Sequence, residues 1–391
     1  GMLKMSLVHD FDEVVNRRGT DSKKYSVYPE DVIPMWIADS DFKAPQPVVD
    51  ALVARMQQGV YGYTPISERL KKAGAGWQKK RFGWDVDPEW VEFVPGVITG
   101  LICAVRALSQ PGDNIVIQSP CYPPFSDLSD HNGRHLLRNK LVLTGDHYEI
   151  DFEDFEEKCK DPRTKLFILC NPQNPTGHVF TKEELTKLGN ICMKYHVIVL
   201  ADEIHQDLVF GEHKHIPSLS VGDYDKIMVS IVAASKTFNI AGAQNSMVII
   251  PDEELQEKWD TYVKGNRVLG GNAFGYVAAE AAYAGGGEWL QSVLTQINEN
   301  YHYLKTELEQ NLPEAVVTPL EGTYLCWINL GAYVKAEDMK EIIQKKCHLA
   351  VDFGDWFGGE HFGTFIRMNL ATSRENVEIG VNALIQNLMK K

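Results

Sequence analysis

The sequence predicts an α/β fold: a large domain with a mostly parallel sheet and helices on both faces, joined to a smaller α+β domain. Three observations carry this. From Val91 to Ile250, short apolar, β-branched runs alternate with amphipathic helical stretches. Past Gly287 the alternation stops, and long helices with a few short strands follow. A chain of 391 residues also suits two domains better than one.

The first forty-odd residues read as irregular, with one compact phrase, Pro34-Met-Trp-Ile-Ala-Asp-Ser-Asp-Phe42. Trp36 and Phe42 read as packing residues, and Asp39 and Asp41 read equally well as solvated turn residues. A helix is expected after Pro47, with Val48, Leu52 and Val53 on one face. Val60-Tyr-Gly-Tyr-Thr-Pro65 is a loop punctuated by glycine and proline, and its tyrosines are expected to be partly buried.

Val91 to Gly96 reads as a strand entering a glycine turn. Val97 to Leu108 reads as a helix on the spacing of Leu101, Ala104, Val105 and Leu108. The free N–H groups of Gly96, Val97 and Ile98 at that helix start would face an anion such as phosphate. The dinucleotide fingerprint G-x-G-x-x-G is absent. Asn114 to Ser119 is the next strand, with Cys121 and Tyr122 at its end. Lys165 to Cys170 follows, ending in Asn171-Pro-Gln-Asn-Pro-Thr-Gly177, a proline-stiffened loop that displays Asn174. A capping box, Thr181 with Glu184, opens a helix through Leu185, Leu188, Ile191 and Cys192. Val197 to Asp202 is a strand ending in a carboxylate, with His205 three residues on.

Ile227 to Val232 is a buried strand that delivers Lys236, and Met247 to Ile250 forms another. A lysine beside small residues at the end of a buried strand cannot easily reach water. Its pKa falls, and it becomes the free amine that Schiff-base chemistry needs. The plainer reading is a lysine snorkelling from a strand end. Polar groups at the ends of parallel strands converge on one sheet edge, where ligands bind. Here those groups are the Gly96 turn, Asn174, Asp202 and Lys236.

Asn272 to Ala284 reads as a buried helix, and Gly285-Gly-Gly287 as the domain boundary. Residues 46–285 are then the large domain, and residues 1–45 with 286–391 the small one. A helix over 288–312, strands over 323–329 and 363–369, and a last helix opened by Thr372 and Glu375 complete it. In that last helix Val377, Val381, Leu384 and Leu388 should point inward.

The formal net charge is −14, from 39 Lys+Arg against 53 Asp+Glu, which argues against nucleic acid or an anionic membrane as partner. No apolar run approaches the ~20 residues of a membrane span. The N-terminus lacks a signal-peptide pattern, and Gly1 before Met2 reads as a residue left by cloning. Seven scattered cysteines, none spaced C-x-x-C, read as reduced core thiols of a cytoplasmic protein.

The four strand-end groups suit pyridoxal phosphate: an amine, a carboxylate for the pyridine nitrogen, an amide for the phenolate oxygen and a helix N-terminus for the phosphate. Together, Asn171-Pro-Gln-Asn-Pro-Thr-Gly177, Asp202-Glu-Ile-His205 and Ser235-Lys-Thr-Phe-Asn-Ile-Ala-Gly242 resemble the fold-type I pyridoxal-phosphate enzymes over essentially the whole chain. Pro34 to Phe42 and Lys236 to Gly242 are most similar to the cystathionine β-lyase, or C–S lyase, branch of that class I/II aminotransferase superfamily.

The resemblance implies pyridoxal 5'-phosphate on Lys236, with Gly96, Val97, Ile98, Tyr122, Asn174, Asp202, His205 and Ser235 around it. Tyr63 would reach the phosphate from the partner subunit of a homodimer with shared sites. Phe365-Ile-Arg-Met-Asn369 resembles the substrate-carboxylate strand, so Arg367 would clamp an amino-acid substrate, with Trp36 and Ala38 beside it. Lys236 and Tyr122 would carry the proton transfers.

The implied reaction is α,β-elimination on cystathionine or related cysteine S-conjugates, giving thiol, pyruvate and ammonia. An aminotransferase is the alternative, although Gln244 stands where many aminotransferases place a basic phosphate ligand. A non-catalytic cofactor-binding regulator is a third reading, opposed by Arg367, since a sensor has no use for a carboxylate clamp. A metal site built from Asp202, Glu203, His205 and Asp207 lacks a second ligand cluster.

Overall fold

The computed structural model describes residues 11–13 and 15–389. The N-terminal reading therefore lies outside the described residues. The large sheet contains seven strands: β1 (Val91–Val94), β2 (Asn114–Ser119), β3 (His135–Lys140), β4 (Thr164–Cys170), β5 (Ile198–Asp202), β6 (Met228–Val232) and β7 (Ser246–Ile249). Their order is β1-β7-β6-β5-β4-β2-β3. β7 pairs antiparallel with both β1 and β6, and the remaining adjacent pairs are parallel.

The central strands are buried on both faces, which is why they read as continuous apolar runs. In β6, Val229 and Ile231 join one core while Met228 and Val232 join the other. The helices of the large domain are α1 (Gln46–Gln57), α2 (Glu68–Phe82), α3 (Val97–Leu108), α4 (Pro124–Asp130), α5 (Phe152–Lys160), α6 (Lys182–Tyr195), α7 (Ala234–Phe238), α8 (Glu253–Gly265) and α9 (Ala273–Gly285). Helices α3, α4 and α8 cover one face through Leu101, Phe125 and Trp259. Helices α2, α5, α6 and α9 cover the other through Trp77, Phe155, Leu188 and Ala278.

Gly286 alone separates α9 from α10 (Gly287–Asn311), which buries Leu290, Val293, Ile297, Leu304 and Leu308 along one stripe. Each such side chain contributes about 1.5–3 kcal/mol over leaving it exposed. The small sheet, β8 (Val316–Val317), β9 (Leu325–Asn329), β10 (Asp352–Phe353) and β11 (Phe365–Asn369), has the antiparallel order β8-β9-β11-β10. Ile33–Pro34 pairs with Leu349–Ala350, tying the N-terminal stretch to this part. The last helix, α11 (Arg374–Leu388), buries Val377, Val381, Leu384 and Leu388 as expected.

Several details differ from the sequence reading. The α11 cap is Ser373, which accepts from the Asn376 N–H. Thr372 is engaged elsewhere, donating to Asp41 at 2.7 Å. Val53 of α1 is exposed rather than inward. The loop tyrosines Tyr61 and Tyr63 are exposed as well. Lys236 lies not at a strand end but within the short helix α7 that follows β6. All seven cysteines are free and buried.

Candidate active site

A cavity of about 260 Å³ opens at the C-terminal ends of β4, β5 and β6. Gly96, Val97, Ile98, Tyr122, Asn174, Asp202, His205, Ser235, Lys236 and Ala38 all line it. Short connections place them there. β1 ends at an extended Gly96, which caps α3, and no acidic residue occupies the first helical turn. That end therefore carries unopposed positive dipole toward the cavity.

The loop after β4 is pinned to the small domain. The N–H groups of Glu321 and Gly322 donate to Gly177 O at 3.1 and 2.9 Å. Gly177 has φ +75°, and a Cβ there would meet Leu320 at 2.9 Å, so the position needs glycine. Asn174 is thereby held close enough to accept from Arg367 Nη1 at 2.9 Å.

Burial sets the protonation states. Lys236 falls to about 8 because its ammonium is desolvated; it donates to the Ala38 carbonyl. Asp202 rises to about 7, chiefly by desolvation. His205, buried against Tyr324, falls to about 3 and is neutral at physiological pH; its Nδ1 has no partner among the described residues. Tyr122 is raised by burial and keeps its proton; it meets Phe125 and Trp356 edge-on.

Arg367 is buried on β11, with its guanidinium 4.9 Å from the Phe357 ring centre. Its Nη2 contacts the Trp36 carbonyl at 3.4 Å and pairs with Asp352, the residue opposite it on β10. Asp352 rises, by burial, above the usual carboxylate range. Nothing in the sequence singled it out. Trp36 presents its backbone to Arg367, while its indole donates to Lys24 O at 3.0 Å and packs on Tyr28.

Other residues fall outside the cavity. Tyr63 is fully exposed on this protomer. Gln244 is exposed, whereas its neighbour Asn245 lines the cavity with a buried amide nitrogen that has no partner among the described residues. Glu203 and Asp207 are structural. Glu203 lies 2.9 Å from His215 and accepts from Ser218 and Ser230. Asp207 accepts from Trp77, Arg81 and Thr237, bracing the helix that carries Lys236. No cluster of three or more metal-ligating side chains occurs among the described residues.

Residues 30–384 match the family model for aminotransferase class I and II. The chain belongs to that family. Among its members, the chain is 40% identical over 382 residues to cystathionine beta-lyase PatB of Bacillus subtilis, covering 96% of this chain and 98% of PatB. Two solved structures superpose closely. Cystalysin from Treponema denticola, which contains pyridoxal 5'-phosphate, has a TM-score of 0.93 at 31% identity, covering 97% of this chain and 98% of cystalysin. The PLP-bound C-S lyase from Staphylococcus hominis has a TM-score of 0.91 at 34% identity, covering 98% of each chain. The chain is 25% identical to an aspartate aminotransferase from Pyrococcus horikoshii, covering 91% of this chain and 90% of that protein.

Proposed function

We propose that the protein is a pyridoxal-phosphate-dependent C–S lyase that carries out α,β-elimination on cystathionine or related cysteine S-conjugates. The observation that carries this reading is one cavity holding a depressed lysine, a buried carboxylate and a helix N-terminus, in a chain 40% identical to a cystathionine beta-lyase. The donor set suits the cofactor. Lys236 would hold the aldehyde carbon, Asp202 the ring nitrogen and Asn174 the phenolate oxygen. The α3 N-terminus and the unpaired Asn245 amide would hold the phosphate. The bound cofactor supplies an electron sink for charge developing at the substrate Cα.

The protein's own groups do the rest. Arg367 receives the substrate carboxylate, oriented by Asn174, Asp352 and the Phe357 ring. The substrate amine would take the place of Lys236, and the freed Lys236 amine takes the Cα proton, since an amine with a pKa near 8 is partly deprotonated at neutral pH. The Cβ–S bond breaks, the sulfur leaves with its electron pair and takes a proton from Tyr122, still protonated, and one water hydrolyses the three-carbon enamine that is left to pyruvate and ammonia. Cystathionine is expected to release homocysteine, pyruvate and ammonia faster than any keto acid accepts its amino group. Catalytic exchange of an amino-acid/keto-acid pair, with no thiol from any sulfur substrate, would overturn the choice of reaction.

The same reading includes a homodimer with shared sites, a cytoplasmic setting, and a division into 46–285 against 1–45 with 286–391. Val53, Met56, Val60 and Tyr61, all exposed apolar side chains in the stretch leading to Tyr63, support the dimer. A Tyr63→Phe protein should retain cofactor less well. Mixed with Lys236→Ala subunits, it should recover about one wild-type site per heterodimer; no recovery counts against sharing.

A further inference from the structure

The segment carrying Ala38 is held from all sides. Asn369 Nδ2 donates to the carbonyls of Ile37 and Asp39, both at 2.8 Å, and Asn239 Nδ2 donates to Ser40 O at 2.9 Å. Lys24, fully buried, donates to Asp39 O at 2.9 Å and pairs with Asp41 at 3.1 Å. Arg17 spans both carboxylates, reaching Asp39 at 2.9 Å and Asp41 at 3.0 Å. Neither aspartate is the solvated turn residue that the sequence allowed.

Asp41 has four partners: Arg17, Lys24, Tyr25 and Thr372. The Asp39 side chain has Arg17 alone among the hydrogen bonds and ion pairs described here. Asp39 directly follows Ala38, whose carbonyl accepts from Lys236.

We propose that Arg17 and Asp39 are positioning residues that set the basicity of Lys236 from outside the cavity: Asp39 holds the lysine's charge in place, and Arg17 offsets part of that field. The sign follows from Coulomb's law. A carboxylate near the ammonium favours its protonated form, and a guanidinium on that carboxylate weakens the effect. Lys236 is also faced by Asp202 from β5, by Arg367 from β11 and by the neutral His205 ring. Asp39 is faced by Arg17, Lys24 and Tyr324. Among these charges, Asp39 acts most strongly on Lys236, ahead of Arg367 and Asp202. The Asp39 and Arg17 side chains are 28% and 21% exposed, so water screens the effect without abolishing it.

The inference rests on the proposed cofactor role of Lys236, and the test separates the two. In protein loaded with pyridoxal phosphate, the visible absorption band is titrated against pH. Asp39→Asn should lower the midpoint by about half a pH unit or more, and Arg17→Gln should raise it by a similar amount. The double variant should return toward wild type, and added salt should shrink both shifts. Shifts in the same direction, or no shift in either variant, would overturn the proposal. If wild type shows no visible band, the cofactor reading fails. The inference is then decided by titrating Lys236 in the unloaded chain by NMR after reductive methylation with labelled formaldehyde, where the same opposite shifts are required.

Discussion

Lys236→Ala is expected to lower turnover at least about 10³-fold, because it removes both the attachment point and the base at Cα. The loss should be chemical rather than structural. Burial of Lys236 disfavours its charged form, and alanine removes that desolvation cost along with the lysine. Thermal unfolding of the variant should therefore occur no lower than that of wild type. Borohydride reduction followed by denaturation and mass measurement gives the clearest check. Wild type should retain the mass of the cofactor, and the variant should not. A variant that keeps the mass would place the attachment on another lysine.

Asp202→Asn should divide stability from activity. The carboxyl rises from 3.8 to about 7 on folding, with desolvation as its first cause. Folding thus favours its protonated form. Below about pH 4 it is protonated in both states and costs nothing. Between pH 4 and 7 only the unfolded chain ionises, and above pH 7 the full penalty, on the order of 4 kcal/mol, weighs on the empty protein. Asparagine carries no such penalty. The empty variant should melt several degrees above wild type at pH 8, and the gap should close toward pH 4. Turnover should fall sharply, because an amide cannot keep a proton on the ring nitrogen. Equal melting at pH 8 would show that the carboxylate is already compensated in the empty protein.

Much of this architecture could be read from local pattern. The capping box at Thr181 and Glu184 forms with both hydrogen bonds, because its partners are three residues apart. The helix from Val97 to Leu108 has the bounds that its spacing predicts. Gly96, Asn174, Asp202 and Lys236 meet because the ends of β1, β4 and β5 and the helix after β6 open onto one cavity, a rule of topology rather than of any single residue.

What escaped depends on distant partners. Thr372 looked like a cap, but its hydroxyl belongs to Asp41, over three hundred positions earlier. Asp352 faces Arg367 only through the register of two antiparallel strands, which neither segment announces. The ion cluster of Arg17, Lys24, Asp39 and Asp41 sits in a stretch without periodicity, where no spacing rule applies.

The Asp352–Arg367 pair also changes what recognition of a substrate means. A guanidinium buried with no counter-charge would strain the empty protein and pull strongly on any anion. Here the chain supplies its own counter-ion, so the clamp folds without waiting for a guest. An arriving carboxylate does not neutralise a bare charge; it enters an exchange in which one carboxylate is weighed against another. The net attraction is the difference between the two, and most of it must come from fit: the Asn174 amide, the Phe357 ring and whatever the amino group gains at Lys236. A small anion that brings only charge has little to offer such a site.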